Sequence, residues 1–95
     1  MSEPKPIRFS EHAREQMIMR GAGEEEIRLA IRNESWMTAK RGKWQAKRRF
    51  AFGALSPVNQ KEYIFKEVEP VFVEETDAIV VVTVIVYYTN EEVLK

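Results

Sequence analysis

Seven cations, Lys40, Arg41, Lys43, Lys47, Arg48, Arg49 and Lys61, fall within residues 36–61 of this 95-residue chain, and no acidic residue interrupts them. Positive charge at that density suits a polyanion such as RNA, or an acidic protein surface. Metal-free cleavage of RNA needs three things: a base for the 2′-hydroxyl, cations that hold the phosphate as charge develops, and an acid for the leaving oxygen. The chain offers all three types. His12, Tyr87 and Tyr88 are candidates for moving protons, Lys66 for holding a phosphate at the reacting centre, and Lys47, Arg48 and Arg49, with Lys43 and Arg41 upstream, for binding the RNA backbone. The same basic strand also reads as a solvated surface or as a groove for a protein partner.

These side chains depend on the elements that carry them. From Trp44 the pattern has a period of two, so Trp44, Ala46, Arg48, Phe50 and Phe52 share one face of a strand while Gln45, Lys47, Arg49 and Ala51 share the other. Trp44 and Phe50 suit a core, which places Arg48 on the buried side. Lys47 and Arg49 then form the plausible site, joined by Lys66 from the next strand. His12 falls in the first turn of a helix, where a structural hydrogen-bonding role competes with that of a base.

That helix runs from about Ser10, a good N-cap followed by Glu11, to Arg20, and Gly21 supplies a left-handed stop. A second opens near Gly23 with Glu24, Glu25 and Glu26, places Ile27, Ala30 and Ile31 on one face, and ends near Asn33. An extended Ile7-Arg8-Phe9 precedes them. After Trp44–Phe52 come a loop over residues 53–60, a strand over residues 62–73 in which Pro70 marks a bulge or an edge, and a last strand over residues 78–88 that is almost continuously β-branched. The order is β-α-α-β-β-β, an α+β class in two layers with two N-terminal helices on a three- to four-stranded antiparallel sheet, in one domain over residues 1–95. The last strand is apolar on both faces, yet two short helices cover one. Curling of the sheet or packing of Trp36 and Met37 accounts for the other face, or else a partner or a second copy does.

Composition removes several classes. The chain has no cysteine and one histidine, so no metal and no cofactor is expected. The polar start carries no signal-peptide core, and the longest apolar run falls short of the roughly 20 residues of a membrane helix. A cytoplasmic protein without membrane attachment is the expectation. Net charge is zero, with an acidic excess after residue 61 balancing the basic stretch.

The run Phe9-Ser10-Glu11-His12-Ala13-Arg14-Glu15-Gln16-Met17, then Arg20-Gly21, Glu24-Glu25-Glu26-Ile27 and Ala30-Ile31, resembles the opening of a bacterial and archaeal family, the domain of unknown function numbered 4258. Lys66-Glu67-Val68 and Val81-Val82-Thr83-Val84 match that family's later strands, whereas Gln16, Ala22 and the basic region from Arg41 to Arg49 depart from its pattern. The family is similar in fold to the RelE and ParE toxins of toxin–antitoxin pairs. The resemblance implies a toxin-related protein that binds RNA or the ribosome, acts as a metal-independent ribonuclease, and is neutralised by a small antitoxin. The alternative, of a different class, is a non-catalytic module that dimerises or binds a partner through its apolar C-terminal strand.

Overall fold

A computed structural model describes residues 4–91; the first three residues of the polar start and the tail beyond Glu91 lie outside them. The elements are β1 (Ile7–Phe9), α1 (Glu11–Arg20), α2 (Glu24–Asn33), β2 (Met37–Thr38), a 3-10 turn at Lys40–Gly42, β3 (Trp44–Gln45), β4 (Arg48–Leu55), β5 (Glu62–Glu74) and β6 (Ile79–Thr89). The class is α+β, as expected, with two helices and a single sheet. That sheet has six strands rather than three or four, and it is mixed: β1 lies parallel to β6, and the other pairings are antiparallel.

One additional strand is β2, and the other comes from an interruption that divides the basic strand into β3 and β4. Trp44 lies opposite Phe72 and Arg48 opposite Val68, so β3 and β4 keep the same register on β5. Between them sits Pro70, whose carbonyl accepts from Ala46 N–H at 3.3 Å. A residue's N–H and C=O point to the same side of an antiparallel strand, so the N–H that proline lacks is the one owed to Ala46. Pro70 therefore marks neither an edge nor a bulge in β5 itself; it lies fully buried in the central strand and breaks its neighbour's ladder. The bulge in the basic strand occurs later, where Phe52 and Gly53 together face Ile64 and Gly53 takes a left-handed φ of 62°. This continues the strand to Leu55, past the loop start expected at Gly53.

Helix α1 forms where its signals place it. Ser10 Oγ accepts from Ala13 N–H at 3.0 Å, and Gly21 closes the helix at φ 82° with its N–H on Met17 O. Ser10 also joins α1 to the sheet, donating from its backbone to Val81 O at 2.9 Å and from its hydroxyl to Val82 O at 3.3 Å. Val82 is the extra residue where the β5–β6 register shifts. Helix α2 buries Ile27, Ala30 and Ile31; burial of a side chain the size of Ile27 stabilises by roughly 1.5–3 kcal/mol.

Both helices lie on one face of the sheet, α1 over β6 and α2 over β5. The core between the layers contains Met17, Ile27, Ile31, Val68, Phe72, Val81 and Val84. Trp36 joins this layer, donating Nε1–H to Ile31 O at 2.9 Å with its ring edge-on to Phe72 at 4.8 Å. It does not cover the opposite face, and Met37 is exposed. Among the described residues, no helix is long and apolar enough to cross a membrane.

Candidate functional site

The open face of the sheet is built by alternation on β5. Val68 and Phe72 point to the helices, so Phe65, Glu67, Glu69 and Val71 point away from them. Glu67 lies opposite Arg49 on one side and Tyr87 on the other. Arg49 approaches Glu67 Oε2 through Nε at 3.1 Å and Nη2 at 2.9 Å, and Lys47 Nζ is 3.6 Å from Oε1. Tyr87 donates its hydroxyl to Glu69 at 3.2 Å, beneath Lys47 Nζ at 5.2 Å from the ring centre. Arg49 stacks on Phe65 at 4.5 Å. Burial, then the Glu69 and Glu67 charges, hold the Tyr87 phenol above its usual range.

Lys47 and Arg49 therefore share one face, as the alternation predicts, but two buried carboxylates stand among them. Glu67 and Glu69 balance the two cations, so a phosphate arriving here must compete with Glu67 for Arg49. Arg48 points to the helix side, where Nη1 meets Glu34 at 2.7 Å and the guanidinium lies over Phe50. Lys40 and Arg41 belong to the 3-10 turn, with Lys43 just beyond it. Thus the basic stretch that is continuous in sequence is divided among an edge turn, the open face and the helix face.

Lys66 does not join Lys47 and Arg49, a correction to the expected site. It shares Val68's face and is buried under the α1–α2 corner, with Nζ 2.7 Å from Gly21 O and 3.0 Å from Glu26 Oε1. Its cross-strand neighbour Tyr88 donates to Arg20 O at 2.5 Å. Two carbonyls at the end of α1, which have no partner within the helix, are thereby satisfied by side chains from β5 and β6. The Tyr88 phenol is held above its usual range by burial and by the Glu26 charge, against a smaller opposing contribution from a hydrogen bond with Ser56. Glu26 Oε1 also accepts from Gly23 N–H at 3.0 Å, which fixes the start of α2.

His12 is exposed in the first turn of α1, about 12 Å along the helix axis from Arg20. The four residues expected to share catalysis thus occupy three places: His12 on the far end of α1, Lys66 and Tyr88 at the helix corner, Tyr87 on the opposite face of the sheet. Glu67 and Glu69, which shape the open face, were missed as site residues; their alternation with Lys66 and Val68 was the signal that could have found them.

A third feature lies at the edge of β6. β1 pairs with β6 only over Ile79–Val81, and among the described residues no strand pairs with the outer edge of residues 83–89. Arg20 Nη1 donates to Val84 O on that edge at 2.9 Å. Alternation then turns the N–H and C=O groups of Val84, Val86 and Tyr88 outward. Beside them runs an open groove lined by Met19, Arg20, Pro57, Val58, Ile85 and Val86.

Compared with known proteins, the chain matches no family model, no curated protein and no solved structure. The class that fold and site define is a small α+β domain with a mixed sheet, helices on one face and, among the described residues, an unpaired stretch along the outer edge of β6.

Proposed function

We propose that this domain is a non-catalytic interaction module that receives an extended polypeptide segment along the outer edge of β6. The observation that carries this is the unpaired edge over residues 83–89, a stretch without a charge, a proline or a glycine, beside an apolar groove. Such an edge offers main-chain hydrogen bonds for affinity and neighbouring apolar side chains for selectivity. The dispersal of His12, Lys66, Tyr87 and Tyr88 also favours binding over catalysis, since two of the four are engaged in holding α1 in place. Co-expression with the product of a neighbouring gene, followed by amide hydrogen exchange, tests the idea. A bound partner should slow exchange at Val84, Val86 and Tyr88; protection confined to the open face would count against it.

A second reading keeps the toxin-related role, with RNA on the open sheet face. It is supported by the sequence resemblance to a family similar in fold to the RelE and ParE toxins and by the convergence of Lys47, Arg49, Phe65 and Tyr87 on one surface. Single-stranded RNA would stack on the aromatic rings and displace the Glu67 ion pairs. Growth and messenger RNA integrity on expression alone, against co-expression with an antitoxin candidate, separate the two. Arrested growth with cleaved RNA, lost in a Lys47→Ala/Arg49→Ala variant that still folds, would favour the toxin.

A further inference from the structure

We infer that the segment received by β6 is β6 of a second copy of this chain, paired antiparallel about a two-fold axis through Val86; this rests on the edge-docking reading above. The free stretch, residues 83–89, is centred on Val86 and is bounded at its start by the end of β1 opposite Val81. An antiparallel copy with Val86 opposite Val86 uses the whole stretch in both chains and stops short of the end of β1 in each. In that register Val84 faces Tyr88 of the second copy, and these residues, with the Val86 pair, are the ones whose N–H and C=O groups point outward. Each pair then exchanges both main-chain bonds.

The side chains agree with this register. Ile85 falls opposite Tyr87 of the second copy, and Tyr87 opposite Ile85, in non-hydrogen-bonded positions where Cα atoms approach to about 4.5 Å. Tyr87 is 44% exposed in the single chain; pairing gives its ring an aliphatic neighbour on the open face. Met19 and Val58, 64% and 60% exposed, flank the same edge on the helix side. The devices that usually keep strand edges apart are charges, prolines and bulges. In residues 83–89 the edge carries none of these, and like-charge repulsion between two copies of the strand is absent. Its one guard is Arg20, whose bond to Val84 O is exchanged for the N–H of Tyr88 in the second copy. Both helical layers then lie on one face of a continuous sheet.

The chain has no cysteine, which makes the register testable. Val86→Cys places two thiols opposite one another across the axis, within the Cα range of a disulfide; Thr83→Cys places them at opposite ends of the ladder. On mild oxidation the first variant should cross-link nearly completely into a covalent dimer and the second should not. Sedimentation equilibrium of the wild type should give twice the chain mass at high concentration, with exchange at Val84, Val86 and Tyr88 slowing as concentration rises. Ile85→Lys, with circular dichroism unchanged, should remain a monomer. A wild type of single-chain mass throughout, with Val86→Cys unlinked, overturns the proposal. In that monomer, fast exchange at the three amides leaves edge docking of another partner standing, whereas slow exchange removes both ideas. A dimer in which Thr83→Cys links and Val86→Cys does not overturns the register.

Discussion

Gly21 and Tyr88 should be coupled in stability, because a methyl group on one would occupy the position of the other's hydroxyl. Gly21 sits at φ +82°, and a Cβ built there would lie 2.6 Å from Tyr88 Oη and 2.8 Å from Pro57 Cγ. Gly21→Ala therefore incurs about 1–2 kcal/mol for a left-handed alanine. It also forces the Tyr88 hydroxyl off Arg20 O, a hydrogen bond worth about 1 kcal/mol with the carbonyl left short of a partner. The single variant should lose roughly 2–4 kcal/mol in all, with the Pro57 overlap toward the upper end. Tyr88→Phe alone should lose about 1 kcal/mol, since the ring keeps its packing on Phe52 and Tyr63. In the Tyr88→Phe background the hydroxyl is already gone, so Gly21→Ala should cost about 1 kcal/mol less than in the wild type, while the backbone and Pro57 contributions cancel from the cycle. Urea unfolding of the four proteins, compared at equal m, measures this directly. Additivity within about 0.3–0.5 kcal/mol would refute the claim that Tyr88 latches the end of α1.

Removing Lys66 breaks a buried cation from both Gly21 O and Glu26, so Lys66→Ala should cost about 2–3 kcal/mol, below the usual range for a fully buried pair because Glu26 is partly exposed; thermal unfolding measures it. Tyr87 and Tyr88 hold their protons more tightly when folded than at the ordinary value of 10.0. Their contribution is complete below pH 10 and is lost as pH rises through the raised folded values, so stability should fall above pH 10, and Tyr88→Phe should flatten that decline in a pH series of urea melts. On the open face, Glu67→Gln leaves Arg49 and Lys47 without their shared anion. Affinity for a single-stranded RNA oligonucleotide should rise and its salt dependence steepen by about one unit, and an unchanged slope would mean that RNA does not reach this face.

Local chemistry made the helices legible. Ser10, Gly21 and the acidic opening of α2 each act within a few residues of themselves, and each lies where its type predicts. The alternation that separated Arg48 from Lys47 and Arg49 is equally local, and it held. What escaped was pairing over long separations. Nothing near Ile7 states that it will lie parallel to Ile79, and the break between β3 and β4 is caused by a proline in a different strand. Lys66 is the instructive case, because its alternation with Val68 already placed it on the core side; only its charge suggested the open face. Burial of that charge becomes intelligible once two helix-end carbonyls and Glu26 surround it, a neighbourhood assembled from three distant segments. The carboxylates among Lys47 and Arg49 likewise arrive from β5, outside the acid-free stretch.

The docking of α1 onto β6 also sets an order of events during synthesis. Ser10 bonds to Val81 and Val82, Arg20 to Val84, and Tyr88 to Arg20, so both ends of a helix made among the first residues are held by one of the last strands. While β6 is still within the ribosome, α1 has no sheet beneath it and Met17 has no core to enter. Until β6 emerges, the nascent domain must carry that apolar face without the sheet that buries it.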